Sequence, residues 1–181
     1  MYGHVMLDWE TLSTEPNAVV LSIGLVPFNL EDEDTFEILE ADESRQYFRT
    51  IEFQEQIDAG RHVSASTLMW WMQQNRSAQK ETFNERGRIG VEKLLEEVIP
   101  FIGKKRLWGN GASFDNPILA TLCTDFGFVP PPFYMARDLR TIQDLSDNDR
   151  LKERGVEHSA IADAQYQVLC AQEYYRGLHG E

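Results

Sequence analysis

The chain has 181 residues, 42% of them hydrophobic and 26% charged, which is the range of a globular protein and excludes disordered, fibrous and collagen-like classes. Its formal net charge of −13 excludes a protein that grips long nucleic acid by neutralising many phosphates, so any nucleic-acid contact is expected to be local. Cys123 and Cys170 are too few for a disulfide framework and lack zinc-ligand spacing. With no long apolar run and no basic leader, the expectation is one cytoplasmic domain over residues 1–181 without a membrane segment.

Val5 to Asp8 and Val19 to Phe28 read as apolar strands joined by a polar turn from Thr11 to Asn17, a hairpin opening. The acidic stretch from Glu31 to Glu43 reads as a solvated connection, and Gln46 to Ile51 as a further strand. Ser64 to Thr67 offer helix-starting oxygens before Leu68 to Met72, and Val91, Leu94, Leu95, Val98, Ile99 and Ile102 recur at helical spacing. Leu107-Trp108 gives a short strand. Gly109-Asn110-Gly111 breaks it, and Ser113 is placed to cap a helix carrying Ile118, Leu119, Leu122 and Cys123 that stops at Gly127. Beyond Pro130-Pro131-Pro132 come a strand near Tyr134 to Ala136, a short helix over Leu139 to Leu145 and a last helix from Ala160 to Leu178. Strands first, then helices alternating with strands, predict an α/β domain with a mixed sheet.

Asp8 and Glu10 close the first strand, and the two-residue period of a strand turns both carboxylates to one face, where they can share a metal site. Such a pair alone also fits a solvated strand end. Asp115 follows a strand and a Gly-Asn-Gly loop, where α/β sheets carry ligands, although a helix N-terminus also favours an aspartate. Asn110 and Phe114 are placed to position a nucleotide, Phe114 being equally suited to the core. His158 and Asp163, five residues apart, subtend roughly 140° within a helix, so His158 must precede the helix if both are to face one site. A lone histidine there is also a common satisfied polar residue. Trp70 and Trp71, about 100° apart, cannot both enter the core. One is left to cover a cleft or a partner surface.

Taken in order, Asp8-Trp9-Glu10, Asp115 at a mid-chain helix start, and His158 with Asp163 at the last helix resemble the D-E-D-D-h 3′→5′ exonucleases of the RNase H-like (DnaQ-like) fold, a mixed β-sheet flanked by helices. The resemblance spans nearly the whole chain. Asp8 to Thr14, Trp70-Trp71 and Arg137 to Thr141 are similar to the subfamily holding phage DexA-type DNA exonucleases and the bacterial RNase AS exoribonuclease, with Trp9 in place of the usual smaller aliphatic residue. The resemblance implies that Asp8, Glu10, Asp115 and Asp163 hold two Mg²⁺ or Mn²⁺ ions and that His158 is the general base. It also implies a single-stranded 3′ end as substrate, a nucleoside monophosphate as product and a homodimer, and it hints at Asp138 and Arg140 near the 3′ nucleotide. RNA is slightly favoured over DNA.

Thr11 and Leu12 are candidates for the terminal sugar, and Trp70 for a base. A neutral imidazole with a pKa near ~6.5 suits the base, so activity is expected to fall on acidification. Two other readings stand beside this one: a catalytically silent nucleotide-binding or interaction module on the same fold, and a metal-dependent phosphomonoesterase, which needs no His-to-Asp spacing. The complete acid set with His158 favours the exonuclease.

Overall fold

The computed structural model describes residues 2–84, 86–146 and 158–179. β1 (His4–Thr11) and β2 (Val20–Phe28) form the expected hairpin, antiparallel from His4 opposite Phe28 to Thr11 opposite Val20, with a register irregularity between Glu10 and Thr11. β3 (Tyr47–Thr50) adds antiparallel to β2, while β4 (Arg106–Gly109) and β5 (Ala136–Asp138) add parallel on the other side, giving the order β3-β2-β1-β4-β5. All nine residues of β2 are buried, and a strand covered on both faces needs this kind of continuous apolar run. Pro27 is tolerated because pairing with β3 ends at Leu25, and its free carbonyl accepts a hydrogen bond from Arg45 Nε at 3.1 Å.

The helices, in chain order, are α1 (Phe36–Ala41), α2 (Gln54–Asp58), α3 (Ala65–Trp71), α4 (Arg76–Thr82), α5 (Val91–Ile102), α6 (Asp115–Asp125), α7 (Leu139–Leu145) and α8 (Ala160–His179). Val5, Leu7 and Trp9 of β1 point to one face and pack with residues of α5 and α6. Met6 points to the other, against α7 and α8. Alternation then carries Asp8 and Glu10 onto the α8 face. A third cluster, Leu12, Val19, Leu21, Trp71 and Ala78, binds α3 and α4 to the turn end of the hairpin. Cys123 and Cys170 are both buried and are not joined in a disulfide. No helix among the described residues is long and apolar enough to cross a membrane.

Three expectations need correction. The acidic stretch after β2 is not only a solvated connection: Thr35 caps α1 through the Ile38 N–H, Leu39 is fully buried, and Asp34 pairs with buried Arg45 at 2.7 Å. Ser113 does not cap α6, which starts from Phe114 with no side-chain cap. The third concerns α2 and α4, which local periodicity does not suggest. Gln56 of α2 is wholly buried, and its amide bonds both the N–H and the carbonyl of Val20 at 2.9 Å, completing the edge of β2 where β3 has ended.

One close contact sets the position of α8. Gly24 lies opposite Asp8 in the β1–β2 register. A Cβ there would lie 2.7 Å from Ile161 Cα and closer still to the Ala160 carbonyl, so the first turn of α8 rests directly on β2. Ala160 and Ala164 are fully buried, as small residues at a close helix-to-sheet approach should be.

Candidate active site

The parallel pairing of β1 with β4 ends at Met6 opposite Trp108, and past Asp8 and Glu10 β1 is paired with β2 alone, its β4 side open. The gap is filled by the turn from β4 into α6, which presents Asp115. Gly109 makes this possible, since a Cβ there would meet Asp115 Cβ at 2.8 Å. Trp9, on the opposite face of β1, donates its indole N–H to the Asp115 carbonyl at 3.2 Å. Trp9 therefore ties the first acidic strand to the third acid.

α8 brings the remaining groups. Asp163 stands in its first turn, and its Oδ2 accepts the His158 backbone N–H at 2.9 Å. His158 precedes the helix, as its spacing requires, with a φ of 64°, a left-handed conformation that a non-glycine residue adopts only when its surroundings enforce it. The enforcing contacts are visible: the Ser159 hydroxyl donates to Glu81 of α4 at 2.5 Å, and the His158 ring stands edge-on to Trp70 and Trp71 at 4.7 and 6.4 Å between centroids. One donor atom each from Glu10, His158 and Asp163 lie within 4.8 Å of one another.

Electrostatics in this cluster are those of carboxylates short of countercharge. Burial pushes Asp8 well above the usual carboxylate range, Asp115, Glu10 and Asp163 add to the shift, and the hydrogen bond from Gln167 Nε2 at 2.6 Å opposes it. Glu10 is raised to about 8, first by burial and then by Asp163, Glu81 and Asp115. Burial raises Asp115 to about 7, against the Asn110 N–H, which it accepts at 2.8 Å, and the charge of Arg140. The other Asp115 oxygen, Oδ1, is buried with no hydrogen-bond partner among the described residues. A buried carboxylate oxygen without a donor, among acids that repel each other, is an arrangement that a divalent cation would stabilise.

Asp8, Glu10, His158 and Asp163 line a cleft of about 540 Å³ together with Thr11, Trp70, Asn110 and Phe114; Asp115 is buried and does not line it, but its charge acts on Asp8 and Glu10 from the start of α6. Trp70 is 40% exposed at its mouth, whereas Trp71 is buried and donates its indole N–H to the Thr11 carbonyl at 2.8 Å, so the pair divides between cleft and core. Phe114 serves both, lining the cleft and packing on the first core. Leu12 is not in the cleft. It is buried against Trp71 and Ala78, because the irregularity after Glu10 interrupts the strand alternation. Asp138 does not line the cleft either, its carboxylate capping α7 through Arg140 N, Thr141 N and Thr141 Oγ1. Arg140 stays outside, its Nε reaching Asn110 Oδ1 at 3.4 Å. Sequence reasoning missed Gln167, Thr14, Ser66 and Thr67, which line the cleft, and Glu81, which holds Ser159. Gln167 had a signal, since it lies one helical turn beyond Asp163 on the same face.

Solved structures share this architecture. Pop2p of S. pombe in its Mg²⁺- and Mn²⁺-bound form superposes with a TM-score of 0.58 at 14% identity, over 97% of this chain and 83% of that one. The nuclease domain of 3′hExo, a DEDDh family member bound to rAMP, gives 0.55 at 15% identity over 95% and 91%. The E. coli ExoI–ssDNA complex in its zinc-bound form gives 0.59 at 10% identity, over 94% of this chain and 38% of that one. At such identities the likeness establishes the fold, the RNase H-like mixed sheet of the DEDDh exonucleases. No curated protein matches the sequence. The family model of the Rv2179c-like 3′-5′ exoribonuclease domain matches residues 3–175, nearly the full length. The chain belongs to that family, and it is a hydrolase of the 3′-5′ exonuclease class.

Proposed function

We propose that the chain acts as one exonuclease domain that removes nucleoside monophosphates from the 3′ end of single-stranded RNA in preference to DNA, with Asp8, Glu10, Asp115 and Asp163 holding two divalent cations, Mg²⁺ or Mn²⁺, and His158 as general base. The observation that carries this reading is the convergence of Asp8, Glu10, His158 and Asp163 from β1 and the start of α8 on one cleft, with Asp115 of α6 near enough to raise Asp8 and Glu10 and its Oδ1 buried without a hydrogen-bond partner among the described residues. The metal-bound form of Pop2p and the rAMP and ssDNA complexes of the other neighbours support the ligand classes, and the family's description supports RNA.

Divalent ions bound there supply positive charge for the phosphate and ease ionisation of the attacking water. The rest falls to the protein. The His158 ring, held by Trp70, Trp71 and its own strained backbone, takes the water's proton as the oxygen attacks phosphorus. The bond from phosphorus to the 3′ oxygen breaks, leaving a shortened strand with a 3′ hydroxyl and a free 5′ monophosphate. Gln167 fixes the Asp8 carboxylate, the Asn110 N–H fixes Asp115, and Thr11 lies where a terminal sugar would sit.

Because His158 also lies within ligand distance of Glu10 and Asp163, the test must separate base from ligand. His158→Gln is expected to lower kcat by roughly 10²–10⁴-fold, the scale of a lost general base, while Mn²⁺ affinity by titration is retained. Loss of Mn²⁺ binding together with activity would make His158 a ligand instead.

A further inference from the structure

α3 is a wall with two sides. Ser66, Thr67 and Trp70 face the cleft, while Leu68, Trp71 and Met72 face a separate groove of about 1040 Å³ between α3 and α4. The other lining residues of that groove include Arg76, Lys80 and Arg86, and no acid is among the described residues that line it. In a chain with 30 acids against 17 lysines and arginines, this is an unusual local balance. All three cations are exposed, and among the described residues none of their side chains makes an ion pair or hydrogen bond. Arg76 and Lys80 stand four residues apart on one face of α4, about 6 Å along its axis.

We propose that this groove carries the single strand upstream of the cleaved nucleotide, a reading that rests on the exonuclease assignment above. With its last nucleotide in the cleft, the strand leaves over Trp70, whose half-exposed ring is a stacking platform at the lip, and passes its phosphates along Arg76, Lys80 and Arg86. A polyanion approaching a surface of net charge −13 is held where three exposed cations stand together with no acid among the described lining residues. Leu68 and Met72 supply the apolar floor on which bases lie.

The test compares wild type with the triple variant Arg76→Ala, Lys80→Ala, Arg86→Ala on single-stranded RNA of about twelve and about three nucleotides, in Mn²⁺. Loss of the groove should raise KM on the longer strand and leave kcat, and the rate on the shorter strand, where they are. Three phosphate contacts at ~0.7 released ions each predict that wild-type KM on the long strand rises about twentyfold between roughly 50 and 200 mM salt, a dependence that flattens in the variant. An equal effect on both lengths, or none on either, overturns the groove. So does a change of molecular mass by light scattering in the variant with length dependence retained, which would make the groove a contact between copies of the chain. If wild type cleaves neither length, the nuclease reading itself fails. The groove is then judged by fluorescence anisotropy of the labelled long strand, and equal binding by wild type and variant overturns it.

Discussion

Replacing Asp8 by asparagine is expected to abolish turnover and, in the same step, to make the metal-free protein more stable. The substituted amide keeps an oxygen for the Gln167 side chain and preserves the shape of the site, but it lacks the charge that a cation and its phosphate require. Loss of a central electrostatic stabiliser lowers kcat by roughly 10³-fold or more. Without metal, the same charge is a liability, because burial and three neighbouring acids all disfavour it. Its removal should raise Tm in EDTA by a few degrees, the shift that about 1 kcal/mol gives in a chain of this size.

Stability of the metal-free protein should also depend on pH, in a defined direction. Glu10 is raised to about 8 and Asp115 to about 7, so the folded metal-free protein holds protons that the unfolded chain has already released. Their contribution is fully present below the ordinary carboxylate pKa and is lost as pH rises through 7 to about 8. His4, pushed down by burial, works the other way just below 6.5, one group against the acidic cluster. Asp34, lowered by Arg45 and Gln172 against its burial, contributes equally throughout this window. Tm in EDTA should therefore fall between about pH 5 and 8, and Mn²⁺ should restore it most at the upper end. A Tm that climbs over that range, or one indifferent to Mn²⁺, contradicts a cluster of mutually repelling buried acids.

The second large effect is expected from a residue with no chemistry. Gly24→Ala places a methyl where Ile161 Cα is 2.7 Å away and the Ala160 carbonyl is nearer, and these are backbone atoms that cannot rotate aside. The first turn of α8 must lift from β2, taking His158 and Asp163 away from Asp8 and Glu10. Overpacking of this kind destabilises by about 1–3 kcal/mol, and a displacement near 1 Å at a reacting centre lowers the rate by about 10²-fold. Gly3→Ala is the control, since its Cβ would meet only Asn29 Oδ1 at 3.8 Å. Wild-type rate and Tm in Gly24→Ala would mean that α8 is not seated as described.

The hairpin, α5, α6 and α8 were legible in the sequence because long periodic segments declare themselves. The order along the chain singled out Asp8, Glu10, Asp115, His158 and Asp163, and the structure brings four of them to one cleft with Asp115 beside Asp8. α1, α2 and α4 were not, being five to seven residues long, under two turns each. Tertiary contacts hold them: Leu39 in the second core, Gln56 on Val20, Ala78 in the third core. Leu12 was misplaced for a different reason. Strict alternation from Asp8 and Glu10 carries position 12 onto the cleft face, and the irregularity after Glu10 gives that place to Thr11. Asp138 was expected near the 3′ nucleotide, but the unsatisfied N–H groups at the start of α7 claim its carboxylate. Glu81 was invisible because its partner, Ser159, is 78 residues away along the chain.

The most direct measurement follows 5′-labelled single-stranded RNA through time in Mg²⁺ or Mn²⁺, with a free and with a phosphorylated 3′ end, beside Asp115→Asn and an EDTA control. The four-acid site with its His158 base predicts stepwise shortening of the free-ended strand, release of nucleoside monophosphate, and silence in EDTA, in the variant and on the blocked end. Cleavage that persists in Asp115→Asn, or that ignores the state of the 3′ end, would contradict it.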